Sequence, residues 1–202
     1  MNADEHATTG VAVGIVTVPV AALAGATPAV WVGSVLAGSI WPDGDHQGAS
    51  IARMWGPVSG VVCGAVSPVL GGHRGVTHHP LFGVLGAALV IAAASVHPVS
   101  SAVAWAVLVG VMLAALARAI HWPLWWPVNL AVSTVAGILA YTGGWAVLPA
   151  VPGLAVGVVV HLIGDRWRTR SWQARTAVAV SYLAVTAVLA WRIYPHLNGV
   201  IA

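Results

Sequence analysis

Trp41–Pro42–Asp43–Gly44–Asp45–His46 puts two carboxylates and an imidazole within four residues, between two apolar runs. The chain has 202 residues, of which 59% are apolar and only 5 are acidic. Ionisable groups inside a membrane are expensive to bury, so a cluster of them there marks a site rather than a filler loop. Two other polar clusters read as its partners. One is His73–Arg74–Gly75–Val76–Thr77–His78–His79, and the other is His161–Leu162–Ile163–Gly164–Asp165.

Around these clusters the sequence is that of an integral membrane protein. Mean hydropathy is +0.89, and charged residues make up 6%, against about 25% in soluble domains. Long apolar runs recur from Val11 to Ile193 without strict alternation. Backbone in lipid must satisfy its own hydrogen bonds, and continuous runs of ~15–20 residues do so as helices. The expected fold is all-α: a polytopic transmembrane helical bundle with short or re-entrant helices around a polar metal site. One integral membrane domain covers residues 1–202, with no internal repeat. Arginines alone carry the positive charge, at the ends of apolar runs, where they act as topology signals. Nucleic acid is not an expected partner. The acidic start, Asp4–Glu5, differs from the basic opening of a secretory signal, so the first run is expected to stay in the protein. Cys63 reads as a small core residue.

Thr8 to Ala26 is the first apolar run, with Thr8 or Thr9 as its cap and Thr27–Pro28 as its close. Pro28 to Trp41 is shorter. At 1.5 Å per residue it reaches roughly 21 Å, less than the ~30 Å hydrocarbon core. The Asp43 cluster is therefore expected below the membrane surface. Ile51 to Leu70 is broken by Gly56–Pro57, Gly60, Gly64 and Pro68, as in a re-entrant or in-plane segment. Leu81–Val96, Ala102–Ala117, Val128–Tyr141, Ala146–Ile163 and Thr176–Ile193 are further spans. Trp122, Trp125 and Trp126 suit an interfacial belt. Arg166, Arg168, Arg170 and Arg175 assign that end to the cytoplasm; counting back brings the His73 cluster to the same face, and Asp43 and His6 too if Ile51–Leu70 does not cross fully. The expected location is the plasma (inner) membrane of a prokaryote.

His161 and Asp165 are four apart, on one helix face, and could hold one ion together. Asp43 and Asp45 flank a glycine, which lets both turn inward with His46. His73 and His78 flank Gly75. His6, just before the first run, could reach the same level. Imidazole and carboxylate donors suit Zn²⁺, with Mn²⁺ and Fe²⁺ as alternatives. His6, Asp43, Asp45, His46, His73, His78, His161 and Asp165 are too many donors for one tetrahedral ion, so two or three divalent ions are expected. Such a site can activate water for attack at phosphorus, with Arg74 as a phosphate clamp and Thr77 as a hydrogen-bond donor. Asp45, Arg74 and Thr77 are the candidate catalytic residues.

Three motifs carry a family resemblance. Pro42–Asp43–Gly44–Asp45–His46 resembles a PDxDH motif, and His73–Arg74–Gly75–Val76–Thr77–His78 resembles HRGxTH. Gly157, His161 and Asp165 resemble GxxxHxxxD, and His6 resembles an N-terminal histidine. Together, in order across residues 6–165, they are similar to the LexA-regulated, membrane-bound, metal-dependent hydrolases (YdjM-like). That family resembles, more distantly, the zinc phospholipase C and single-strand nuclease superfamily. His79 departs from the serine common at its position. The resemblance implies a metal-dependent hydrolase acting on a phosphoester of a lipid or lipid-linked substrate. A divalent-metal transporter or channel is the alternative, since it too needs buried Asp and His.

Overall fold

The computed structural model describes residues 3–72, 75–79, 86, 93–123 and 125–167. The runs Leu81–Val96, for the most part, and Thr176–Ile193 lie outside them, as do His73, Arg74, Arg168, Arg170 and Arg175. Among the described residues there is no strand. The fold is an all-α membrane helical bundle.

Helix α1 spans Ala3–Val16 and α2 spans Val18–Ala21, continued by a 3-10 turn at Ala22–Ala24. The first apolar run is thus not one straight helix. It bends by 68° at Thr17. Pro19 lacks an amide proton and its ring crowds the preceding turn, which accounts for the break. The helix also starts earlier than the apolar run. Asp4 and Glu5 sit in its first turn, where negative charge suits the helix dipole. Thr8 and Thr9 do not cap it. Their hydroxyls donate to the carbonyls of Asp4 and Glu5, at 2.8 and 2.7 Å.

Thr27 is the N-cap of α3, Pro28–Gly38, with its hydroxyl accepting from the Val30 amide at 3.3 Å. The 11 residues of α3 reach about 16 Å, so this helix is shorter than the run suggested. A 3-10 turn, Trp41–Asp45, follows. Helix α4, Ser50–Arg53, and helix α5, Pro57–Val69, make up the broken segment. They are joined through Gly56, whose φ of 59° falls in the left-handed region. A second 3-10 turn, Val76–His78, carries Thr77.

Helix α6, Pro98–Ala119, opens on His97, whose Nδ1 accepts from the Val99 amide at 3.2 Å. It forms an antiparallel hairpin with α7, Trp126–Gly143. One face of α7 carries Asn129, Ser133, Gly137 and Ala140, all buried. Gly137 fits against Ala102 and Ala106, and Asn129 Nδ2 donates to the Gly110 carbonyl at 3.1 Å. Small residues and interhelical hydrogen bonds are how helices pair where lipid removes the hydrophobic drive. The opposite face shows Val128, Val132, Val135 and Ile138 to the surroundings. A 3-10 turn, Leu148–Ala150, leads into α8, Val151–Trp167. Pro98–Ala119 and Leu148–Asp165 are each long and apolar enough to cross a membrane, and the bent pair α1–α2 makes a third candidate.

Helices α3 and α8 touch at backbone level. A side chain at Gly157 would overlap the Val35 carbonyl oxygen and lie 2.8 Å from Gly38 Cα. Gly153 meets Ser34 and Trp31 in the same way. Helix α1 packs on α3, α6 and α8. This arrangement gathers the start of α1 and the ends of α3, α6 and α8 at one end of the bundle.

Candidate metal centre

The close approach of α3 and α8 sets the first element of the site. One turn beyond Gly157, His161 is fully buried, and its Nδ1 lies 2.8 Å from the Ser39 carbonyl oxygen. A carbonyl only accepts, so Nδ1 carries the proton. In the neutral ring, Nε2 then presents a lone pair to the interior of the cluster. Second partners of this kind fix the tautomer of metal-binding imidazoles.

Two other donors meet that nitrogen. His78 Nε2 lies 3.2 Å from His161 Nε2, and Asp43 Oδ1 lies 3.6 Å from it. Asp43 Oδ1 and His78 Nε2 are 3.7 Å apart. A point in the plane of these three atoms lies about 2.0 Å from each, which is a zinc–imidazole bond length. Burial works against the Asp43 charge. The nearby imidazoles of His78, His161 and His6 outweigh it and hold the carboxyl below the usual range. Burial likewise works against a charge on His78, but Asp43, Asp45 and Asp165 raise its pKa.

A second triad overlaps the first. His6 Nε2 lies 2.9 Å from Asp165 Oδ1, and the His6 ring stacks on His161 at 3.9 Å between centroids. His6, His161 and Asp165 can each offer one ligand atom within 4.8 Å of the others. The other nitrogen of His6, Nδ1, is buried with no hydrogen-bond partner among the described residues. Asp165 Oδ2 also approaches His78 Nε2, at 3.7 Å. The donor set therefore fits divalent ions that take mixed nitrogen and oxygen ligands. With Nδ1 committed to Ser39, His161 has one nitrogen to give, so it can complete only one triad at a time.

Asp45 occupies a different place from Asp43. It is fully buried and accepts a hydrogen bond from the Thr77 hydroxyl. Its Oδ2 lies 3.4 Å from His78 Nδ1, on the opposite edge of the ring from Asp43. Thr77 Oγ1 is also 3.1 Å from His78 Nδ1. Asp45 and Thr77 thus orient His78 from behind. Asp45→Ala should weaken zinc binding by about 10–100-fold, the usual effect of losing such a partner. Competition with a chromophoric chelator would measure it, and unchanged affinity would remove Asp45 from the site.

His46 is exposed, and its Nδ1 accepts from the Gly48 amide at 2.7 Å. Among the described residues neither it nor exposed His79 joins the two triads. His73 and Arg74 lie outside the described residues. Ser39 is the functional residue that the motifs do not reveal. It acts through its backbone carbonyl, which leaves no mark in side-chain chemistry.

No curated protein and no solved structure matches this chain. The family profile described as YdjM inner membrane protein matches residues 1–198. With that match spanning nearly the whole length, and with buried Asp and His side chains meeting at one end of an apolar bundle, the chain belongs to the YdjM inner membrane protein family.

Proposed function

We propose that this membrane protein hydrolyses a phosphoester of a lipid or lipid-linked substrate, using two or three divalent ions, zinc first. The observation that supports this reading best is the meeting of Asp43, His78 and His161, with His161 locked by Ser39 so that Nε2 faces inward. When bound, the ions would supply Lewis acidity and lower the pKa of a water for attack at phosphorus. Asp43, His78, His161, Asp165 and His6 would hold them, with His73 as a further donor, while His46 stands outside the two triads. Asp45 and Thr77 keep the His78 ring in place. Arg74 would pair bidentately with the phosphoryl oxygens.

The short reach of α3 supports a lipid substrate over a soluble one. A site at the end of an 11-residue helix would lie near or just below the headgroup level of a bilayer whose core is about 30 Å thick. A lipid could present its phosphate from the side while its acyl chains stay in the membrane. The Arg-rich stretch from Arg166 to Arg175 supports a cytoplasmic orientation.

The test is elemental analysis of purified protein together with a phospholipase and lipid-phosphatase screen in proteoliposomes. Hydrolysis by the wild type that disappears in Asp43→Ala is the expected result. Uptake of divalent metal into the vesicles, with no hydrolysis of any lipid phosphate, would overturn the proposal in favour of transport.

A further inference from the structure

On the α6 side of the first turn of α1, away from the triads, lies a cavity of about 470 Å³ lined by Asp4, Ser50, Arg53, Arg118, His121 and Trp122 among others. Arg118 Nε donates to Ser50 Oγ at 2.8 Å, which steers the guanidinium. Its Nη1 stands 3.6 Å from Asp4 Oδ1, and His121 Nδ1 stands 3.7 Å from Asp4 Oδ2. Both contacts are long, and the Arg118 and Asp4 side chains are 42% and 34% exposed. Exposed pairs of this kind hold weakly. Arg53 lies on the same short helix as Ser50, and its side chain has no hydrogen-bond or ion-pair partner among the described residues. Arg118 and His121 therefore share one carboxylate, and the Arg53 guanidinium lines the same cavity without one.

The backbone at His121 gives an independent sign. Its φ is 54°, the one positive value at a described residue other than glycine. The Trp122 amide donates to the Ala117 carbonyl at 2.7 Å, and the His121 amide to the Arg118 carbonyl at 3.2 Å. This is a helix-terminating turn in which glycine is the unstrained choice. Histidine stands there instead and points a ring nitrogen into the cavity. Trp122 and Trp125, 70% and 68% exposed, lie beside it, as interfacial tryptophans do at headgroup level.

We propose that this cavity is a phosphate-binding site separate from the metal triads, taking the headgroup of an acidic lipid. Arg53 and Arg118 would pair with the phosphate oxygens, His121 would donate one further hydrogen bond, and Asp4 would give up its contacts with Arg118 and His121. Basic pockets at this depth recognise acidic headgroups, and guanidinium groups suit phosphate oxygens.

The test is native mass spectrometry of the full chain in detergent, titrated with short-chain phosphatidic acid, with phosphatidylcholine as the comparison. A parallel titration uses inorganic phosphate, read by thermal shift. Phosphatidic acid should bind more tightly than phosphatidylcholine. Arg53→Gln should weaken it by on the order of tenfold or more, the effect of losing a charged hydrogen bond. Asp4→Asn should tighten it. His121→Gly should weaken it while raising the thermal midpoint, a pair of changes that a purely structural histidine would not give. Inorganic phosphate following the same variant pattern would assign the phosphate group alone as the ligand. Its failure to bind, with phosphatidic acid still binding, would assign the lipid. Wild-type affinity in both Arg53→Gln and His121→Gly overturns the proposal. So does binding that is lost in His161→Ala and kept in Arg53→Gln, because that anion would belong to the metal triads.

Discussion

Zinc should be absent from purified His161→Ala protein and present in the wild type. His161 belongs to both triads and is the donor whose geometry is most tightly fixed. Its Nδ1 is committed to Ser39, so Nε2 is its one ligand atom, 3.2 Å from His78 and 3.6 Å from Asp43. Removing a mere orienting partner costs about 10–100-fold in metal affinity, and removing the ligand itself should cost more. The ring is also stacked on His6, so the variant loses the surface that holds His6 against Asp165. Elemental mass spectrometry of the purified variant gives the reading. His97→Ala is the control, since His97 only caps α6. A His161→Ala protein with wild-type zinc content would mean that the triads are not the metal site.

The other large effect should come from a residue with no chemistry. Gly157→Ala adds one methyl group where the Val35 carbonyl and Gly38 Cα already stand. The obstacle is backbone on both sides, so no side-chain rotation can relieve it, and α8 must move away from α3. Overpacking of this kind costs about 1–3 kcal/mol. Unfolding in mixed micelles would measure the loss. The move also carries His161 away from the Ser39 carbonyl, so zinc affinity should fall along with stability. Gly144→Ala makes the comparison. Its φ of 64° makes alanine strained there, but nothing lies within 4 Å of the added carbon. It should reduce stability by about 1 kcal/mol and leave zinc binding alone. Equal zinc affinity in Gly157→Ala and wild type would separate helix packing from the site.

These two residues show what the sequence exposes and what it hides. The membrane class follows from composition, and the meeting of Asp43, His78, His161 and Asp165 follows from burial cost, because carboxylates in an apolar chain need imidazoles or a cation beside them. His6 follows for the same reason. The division of labour between the two carboxylates of one turn does not follow. Asp43 and Asp45 differ by the direction their backbone takes through a 3-10 turn, which composition does not encode. Ser39 works through a carbonyl that every residue has. The start of α1 was hidden because its first turn is polar, and apolar periodicity begins only afterwards. The bend at Thr17 was visible in Pro19, but the direction of the chain beyond it depends on what it packs against. Trp31 supplies part of that, donating to the Thr17 hydroxyl at 2.9 Å.

The contact between His6 and Asp165 spans 159 positions of the chain. It places a demand on biosynthesis. While the ribosome is still making α8, the first helix has already entered the membrane with its imidazole unpartnered, and Asp43 and Asp45 wait in the turn after α3. No intermediate on the translocon can assemble either triad, because His161, which both share, arrives with the last described helix. The buried polar end of the bundle is therefore complete only once α8 docks.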